Sequence, residues 1–213
     1  NFPMLQLASA TATLVAGGQL FEPRLVREIE AAVKRTKSSP EAQALAPLPY
    51  DPEHVALIKR ALHGVTQEGT SVRSFANAPY KTGGKTGTAQ AIGIKANEKY
   101  NASKIDEYQR DHSLYNAFAP LDEPTIALAV VVENAGFGSE AAAPIARRVF
   151  DYWIAGLWPS DEDMAATQIG KSTSPIGKQR DAKDVLLPGL QGGGFAQSVV
   201  TTAPGPVALN TKP

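Results

Sequence analysis

The stretch from His112 to Glu133 reads HSLYNAFAPLDEPTIALAVVVE and contains the two clearest strand patterns in the chain. Residues 112–119 and 124–133 are rich in apolar side chains, which is typical of strands that face a core. The PLDE segment between them has the length and the turn chemistry of a β-hairpin. The stretch therefore predicts two antiparallel strands joined by a short turn.

A third strand is predicted over residues 83–94, GGKTGTAQAIGI, where small and apolar residues alternate. Residues 95–111 are polar and charged, and they predict an excursion between this strand and the hairpin. Apolar residues at helical spacing predict three helices, over residues 4–16, 52–66 and 140–156. Because these helices must bury their apolar faces, the sequence predicts an α+β fold, an antiparallel sheet packed by helices.

The composition changes after Trp158. Residues 159–213 are rich in Gly, Pro, Ser, Thr and Ala and carry no sustained periodicity. Such a segment cannot bury enough apolar area to offset the entropy cost of ordering it. The sequence therefore predicts a folded portion over residues 1–158 and a disordered Gly/Pro/Ser-rich tail over residues 159–213. Within the folded portion, residues 20–30 predict a short extended segment and residues 31–49 a loop.

Charge and composition exclude several classes of function. The 213 residues carry 21 Lys and Arg against 21 Asp and Glu, so the formal net charge is zero. This balance argues against a dedicated nucleic-acid binder, which needs a basic excess. Cysteine is absent, which excludes disulfide bonds, thiolate metal sites and a cysteine nucleophile. The sequence also has no run of about 18 apolar residues that could span a bilayer.

The three histidines are widely spaced and match no metal-ligand pattern. His54 and His63 fall on the predicted helix 52–66, and we expect both to lie on its surface. His112 begins a predicted strand beside Asp111, so we expect a structural hydrogen bond there rather than proton transfer.

The sharpest candidate for a functional site is the sequence Lys85-Thr86-Gly87-Thr88 on the predicted strand 83–94. Side chains alternate along a strand, so Thr86 and Thr88 share one face, and Gly87 lets another backbone approach closely. An edge strand of this kind can pair with an extended peptide. The Thr88 hydroxyl could then bind the peptide's terminal carboxylate, Lys85 could supply positive potential, and the Thr88 N–H could point at a developing oxyanion.

The same tripeptide is compatible with two plainer interpretations. Lys, Thr and Gly are common residues, and a single Lys-Thr-Gly is usually part of a loop. A phosphate-binding loop would need a Gly five positions before Gly84, but position 79 is Pro. The phosphate loop is therefore excluded, whereas the ordinary loop stays open on the tripeptide alone.

K-T-G is also the third motif of penicillin-binding proteins and class A β-lactamases. The longer string GGKTGTAQ resembles the transpeptidase domain of class B penicillin-binding proteins, as do MLQLASATATLVAGG and IALAVVVENAGFGSEAAAPIARRVFD. The stretch GIKANEKYNASKIDEYQRDH resembles the penicillin-binding protein 2 branch, the rod-shape or elongation transpeptidases of Gram-negative bacteria. The resemblance covers residues 1 to about 156.

The resemblance implies a penicillin-binding-protein/serine β-lactamase-like fold in a D,D-transpeptidase that cross-links peptidoglycan stem peptides during cell elongation. It implies that Lys85, Thr86, Gly87 and Thr88 form the substrate-binding and oxyanion-side wall, with no metal and no organic cofactor. The implied partners are D-Ala-D-Ala stem peptides, β-lactam antibiotics and, in the full-length protein, an inner-membrane anchor and elongation-complex proteins, but no nucleic acid. The implied location is the periplasmic face of the bacterial inner membrane.

Two motifs of this family do not occur in the 213 residues. In the family, S-x-x-K supplies the acylated Ser and a Lys that assists proton transfer, and Ser-x-Asn is the second motif. Here Ser174 and Lys178 have the wrong spacing, and Ser74 to Asn77 is one position too long. Both motifs would lie upstream of Asn1. We therefore interpret the chain as the C-terminal part of a larger transpeptidase, with no catalytic nucleophile and no activity of its own.

Two alternatives stay open: a non-catalytic binding or structural remnant, and a β-lactamase or β-lactam-sensor type of domain with the same K-T-G. The β-lactamase or sensor alternative is disfavoured by the long excursion over residues 95–111 and by the pattern from TAQ to AFAP. The residues encoded upstream of Asn1 would discriminate, because S-x-x-K followed by Ser-x-Asn would establish the transpeptidase.

Overall fold

The computed structural model of the chain describes residues 3–26, 28–93, 101, 105–169 and 173–185. Within these residues the helices and strands follow in the order α1 (Met4–Val15), β1 (Ile29–Glu30), β2 (Lys37–Ser38), α2 (Pro52–Gln67), α3 (Val72–Phe75), β3 (Gly83–Ala89), β4 (His112–Ala119), β5 (Ile126–Val132), α4 (Ala142–Ala155), β6 (Leu157–Trp158), α5 (Asp161–Gln168) and β7 (Arg180–Asp181). None of the described helices has both the length and the apolar character needed to cross a lipid bilayer.

The predicted helices and strands are confirmed. The three helices are α1, α2 and α4, and each begins and ends within two residues of the prediction. The three strands are β3, β4 and β5, although β3 ends earlier than predicted, at Ala89. The start of α2 is capped as its sequence indicates, because Asp51 Oδ1 accepts a 2.8 Å hydrogen bond from the Glu53 N–H. The predicted loop 31–49 contains β2, which pairs with β1 in the preceding extended segment.

The central sheet is antiparallel, with β4 in the middle and β3 at one edge. Its register places Thr86 opposite Tyr115, and Tyr115 opposite Val130. Since neighbouring side chains point to opposite faces, these three residues share one face, and Lys85 and Asn116 lie on the other.

Helices cover both faces of the sheet. On one face, α1 packs on β4 and β5, and α2 packs on β3. On the other face, α4 packs on β4 and β5 over a core whose aromatic members are Phe75, Tyr115 and Phe150. The Phe75 and Tyr115 rings stack with their centroids 5.9 Å apart. This arrangement confirms the predicted α+β fold.

The predicted disorder from residue 159 is wrong for the first part of that segment. There, α5 begins at a Ser160 cap, and β7 pairs with β6. The Asp163 carboxylate is fully buried and accepts hydrogen bonds from both Nε and Nη2 of Arg148 on α4. Buried polar contacts therefore hold this segment in place. A segment held by polar contacts shows no apolar periodicity in its sequence, so the sequence does not reveal that it is ordered. Residues 186–213 of the predicted tail lie outside the described residues.

A second buried ion pair fixes the other side of α4. Arg147 Nε lies 2.8 Å from Asp151 Oδ1, and both side chains are almost fully buried. The same carboxylate accepts a 2.7 Å bond from the Tyr80 hydroxyl and a 3.0 Å bond from Gln179 Nε2. This network joins α4 to the segment before β3 and to the segment before β7.

The alkaline stability of the chain tests the burial of Tyr115. Burial raises the pKa of its hydroxyl from 10.0 to about 12. The unfolded chain therefore loses this proton at a lower pH than the folded chain, and the stability present below pH 10 is lost as the pH rises toward 12. We expect Tyr115→Phe to remove up to about 1.4 kcal/mol per pH unit from the alkaline decline of the unfolding free energy.

The measurement is denaturant unfolding of parent and Tyr115→Phe chains at several pH values in that window. Burial also raises the pKa of Tyr80, which is present in both chains, so only the difference between their slopes reports on Tyr115. Identical slopes would show that Tyr115 is not buried as described.

Candidate functional site

The predicted site lies on the edge strand of the sheet. Among the described strands, β3 pairs only with β4, so the other backbone edge of β3 is open for an extended peptide. Along this edge Lys85 and Thr88 are exposed, and Thr86 and Gly87 are half-buried. The residues that the sequence singles out therefore lie together at the surface, on one strand.

The faces of the sheet separate the hydroxyls from the cation. Thr86 and Thr88 share the face covered by α4, opposite Tyr115 and Ser113 on β4. Lys85 leaves the strand on the other face, but its chain bends back so that Nζ donates a 2.7 Å hydrogen bond to the Thr86 carbonyl. The ammonium group is therefore held against the backbone of β3.

A cleft of about 300 Å³ lies beside this edge. Its lining combines β3 with one residue before α3 and with the loop between β5 and α4: Thr70, Lys85, Thr86, Gly87, Thr88, Phe137, Gly138 and Ser139. These residues include no carboxylate and no histidine. The cleft therefore offers hydroxyl groups, backbone groups and one cation, a set that suits an anionic or peptide ligand.

The far wall of the cleft is fixed by Ser113 of β4. Its hydroxyl donates a 3.0 Å hydrogen bond to the Phe137 carbonyl and accepts one of 3.0 Å from the Ala142 N–H at the start of α4. Gly138 packs on the β3 backbone so closely that a Cβ there would lie 2.6 Å from the Gly87 oxygen. Only glycine lets the loop and the strand approach this closely.

Aromatic rings packed against β3 explain why two glycines precede Lys85. A Cβ on Gly84 would lie 2.6 Å from Cζ of Tyr115, and one on Gly83 would lie 2.6 Å from the Phe118 ring. The Tyr115 hydroxyl in turn shares a 2.9 Å hydrogen bond with the Ser71 hydroxyl. The Gly-Gly pair therefore leaves room for one aromatic ring to pack against β3 on each face of the sheet.

A larger cavity, of about 540 Å³, lies between α1, α2 and the turn that joins β4 to β5. Its charged lining residues are Lys59, Arg60 and Asp122. Lys59 already donates a 3.1 Å hydrogen bond to the Asp122 carbonyl. This cavity includes none of the residues on β3, so we place the candidate site in the smaller cleft.

The histidines lie outside the cleft. His54 is exposed, as predicted. The prediction for His63 is wrong, because it is half-buried and its Nδ1 lies 2.8 Å from the Thr82 carbonyl. His112 has the predicted structural role, since its Nδ1 accepts a 3.0 Å hydrogen bond from the Asn134 N–H. Within the described part of the chain, no cluster of acidic residues and histidines is suited to hold a metal ion.

Sequence reasoning missed two parts of the cleft. Thr70 is sixteen residues from Thr86 but lies 2.8 Å from it, hydroxyl to hydroxyl. The Gly-rich turn after Asn134 is visible in the sequence, but nothing in its composition indicates that Phe137–Ser139 lies opposite Gly87. Both parts reach the site through tertiary contacts that leave no local pattern.

Comparisons with known proteins cover most of the chain. The family described as the penicillin binding protein transpeptidase domain matches residues 3–151. Peptidoglycan D,D-transpeptidase MrdA of Haemophilus influenzae is 38% identical over 181 residues, which are 83% of this chain and 26% of that protein. MrdA of Escherichia coli K12 is 38% identical over 157 residues, which are 71% of this chain and 24% of that protein. The chain thus spans about a quarter of the length of these relatives.

A solved structure shares the arrangement of helices and strands. The crystal structure of Pseudomonas aeruginosa PBP2 in complex with WCK 5153 superposes on 70% of this chain, with a TM-score of 0.55 and 30% sequence identity. The match covers 30% of the Pseudomonas chain.

Proposed function

Because the chain belongs to the penicillin binding protein transpeptidase family, we propose that it is the C-terminal part of a peptidoglycan D,D-transpeptidase. In the whole enzyme, a Ser outside these residues attacks the carbonyl carbon of the penultimate D-Ala of a stem peptide. The bond to the terminal D-Ala breaks, that D-Ala leaves, and an ester to the Ser remains. The amine of a neighbouring stem peptide then attacks the ester, which forms the cross-link and frees the Ser.

The observation that carries this proposal is the open edge of β3 facing the cleft, with Thr86 and Thr88 on one face and Lys85 at the rim. The terminal D-Ala of the donor peptide carries a carboxylate. We assign its recognition to the two hydroxyls, assisted by the positive charge of Lys85. The Thr88 N–H contributes to the oxyanion-side wall.

The same groups account for β-lactam binding. A penicillin has a carboxylate next to its reactive amide, so it places its anion on Thr86 and Thr88 while the upstream Ser opens the lactam ring. The adduct is an ester on that Ser. The proposal thus assigns recognition to this chain and bond breaking to the upstream residues.

We further propose that residues 1–158 belong to the transpeptidase domain and that the parent protein works in cell elongation. The identity to two MrdA proteins over most of the chain supports this assignment. A peptidoglycan substrate requires a location at the periplasmic face of the inner membrane. An inner-membrane anchor and partners in an elongation complex are expected on the remaining three quarters of the parent protein.

Labelled benzylpenicillin and intact-mass spectrometry test the proposal. We expect the full-length protein to form one stoichiometric penicilloyl adduct, and the 213-residue chain to form none, because an acyl-enzyme requires an activated nucleophile. An adduct on the 213-residue chain would place the nucleophile among these residues. The lack of an adduct on the full-length protein would overturn the transpeptidase assignment.

A further inference from the structure

A hydrogen bond between the side chains of Thr70 and Thr86 links β3 to the segment before α3. Thr70 Oγ1 lies 2.8 Å from Thr86 Oγ1. Thr70 immediately precedes Ser71, the residue before α3, whereas Thr86 lies in the middle of β3. Both threonines line the cleft. The contact therefore connects the candidate carboxylate site to a segment that the sequence did not implicate.

The number of protons decides the direction of this hydrogen bond when a ligand is bound. Each hydroxyl carries one proton and can accept at two lone pairs. If Thr86 donates its proton to a carboxylate, it has none left for Thr70. Thr70 must then be the donor to Thr86. Its donation polarises the Thr86 hydroxyl and strengthens the bond that Thr86 makes to the anion.

The backbone around Thr70 is held firmly enough to aim its hydroxyl. On the next residue, both the Ser71 N–H and the Ser71 hydroxyl donate to the Val65 carbonyl at 3.1 Å. On the preceding residue, Gly69 packs so tightly that a Cβ would lie 2.7 Å from the Val65 Cα. Thr70 therefore stands between two anchored residues.

The buried ion pair of α4 holds the same segment from its other end. Arg147 Nη1 donates hydrogen bonds of 3.2 Å to the Ser74 carbonyl and 2.9 Å to the Ala76 carbonyl. These carbonyls lie at the end of α3. The segment from Thr70 to Ala76 is thus fixed to α2 at one end and to α4 at the other.

We propose that Thr70 is a positioning residue for carboxylate recognition: its hydroxyl donates to Thr86 and turns the Thr86 proton toward the terminal carboxylate of the stem peptide or of a β-lactam. This inference rests on the proposed function and extends it. Thr70 need not touch the ligand. It acts through Thr86 and sets the direction in which Thr86 donates.

The test uses the full-length protein and two probes, benzylpenicillin and its methyl ester, which lacks the anion. A single neutral hydrogen bond corresponds to a change of about two- to tenfold in rate. We expect Thr70→Val to slow acylation by benzylpenicillin by this factor and to change acylation by the ester much less. Thr70→Ser restores the hydroxyl, so it should restore the rate. In a Thr86→Val background, Thr70→Val should have no further effect.

Thr88→Val separates the failure of this inference from the failure of the proposed function. If Thr88→Val slows benzylpenicillin but Thr70→Val does not, the positioning role is overturned and the proposed function stands. The role is also overturned if Thr70→Val slows both probes equally or if Thr70→Ser fails to restore the rate, because either result indicates a general structural effect. If neither Thr88→Val nor Thr70→Val changes any rate, the recognition role of the β3 edge and the positioning role of Thr70 both fall, whereas the adduct on the full-length protein still decides the transpeptidase assignment.

Discussion

Replacing Asp163 by asparagine is expected to lower the free energy of unfolding of the chain by about 3–5 kcal/mol. Asp163 is fully buried, and its carboxylate is the ion-pair partner of Arg148, whose side chain is 10% exposed. The substitution keeps the shape of the side chain but removes the carboxylate charge from its buried ion pair with Arg148. Removing one partner of a buried ion pair is costly because the interior of a protein replaces the solvation by water poorly.

Asp161 on the same helix provides the matched control. It pairs with Arg180 at 3.1 Å, but its side chain is 92% exposed. We therefore expect Asp161→Asn to change the unfolding free energy by no more than about 1 kcal/mol. Urea unfolding of the three chains gives the comparison. If Asp163→Asn were as mild as Asp161→Asn, α5 would not be held on α4 as described.

The sheet and its helices are predictable because their signals are local. Residues 112–119 and 126–132 have the apolar content of strands, and Asp51 and Pro52 mark the start of α2. Each signal falls within a window of one element. The order of elements then leaves few ways to bury the apolar faces, so the α+β architecture follows from the sequence.

The segment after Trp158 is not predictable in this way. What holds it is a set of polar contacts between residues far apart in sequence: Arg148 with Asp163, and Asp151 with Gln179. From composition alone, such residues are expected at the solvated surface, since Asp, Arg and Gln are mostly exposed in proteins. Only the three-dimensional structure shows that Asp151 and Asp163 are buried and that these four groups are paired.

The candidate site also contains one part that is predictable from local sequence and another that is not. Lys85 to Thr88 is a contiguous motif, so its position on a strand could be predicted from alternation alone. Thr70 and Phe137–Ser139 complete the cleft from two other parts of the chain. The approach of the loop at residues 137–139 depends on Gly138 packing on β3 and on Ser113 binding the loop, and neither contact has a sequence signature.

The second large effect is expected at Thr88 in the full-length protein. Thr88→Val keeps the shape of the side chain, removes the hydroxyl and leaves the backbone N–H in place. A hydrogen bond to a charged group contributes roughly 1.5–3 kcal/mol, and each 1.36 kcal/mol is tenfold in rate. We therefore expect acylation by benzylpenicillin to slow by about ten- to a hundredfold. Folding should be little changed, because Thr88 is exposed. Thr86→Val should act in the same direction but more weakly.

Thr36 supplies the control, as an exposed threonine in the turn between β1 and β2, remote in sequence from the K-T-G strand. The most direct test of the account is the second-order rate constant for acylation by benzylpenicillin, measured on the full-length parent, Thr88→Val and Thr36→Val proteins. The account predicts a loss of about ten- to a hundredfold for Thr88→Val and none for Thr36→Val. Equal rate constants for all three proteins would contradict the assignment of carboxylate recognition to the β3 edge.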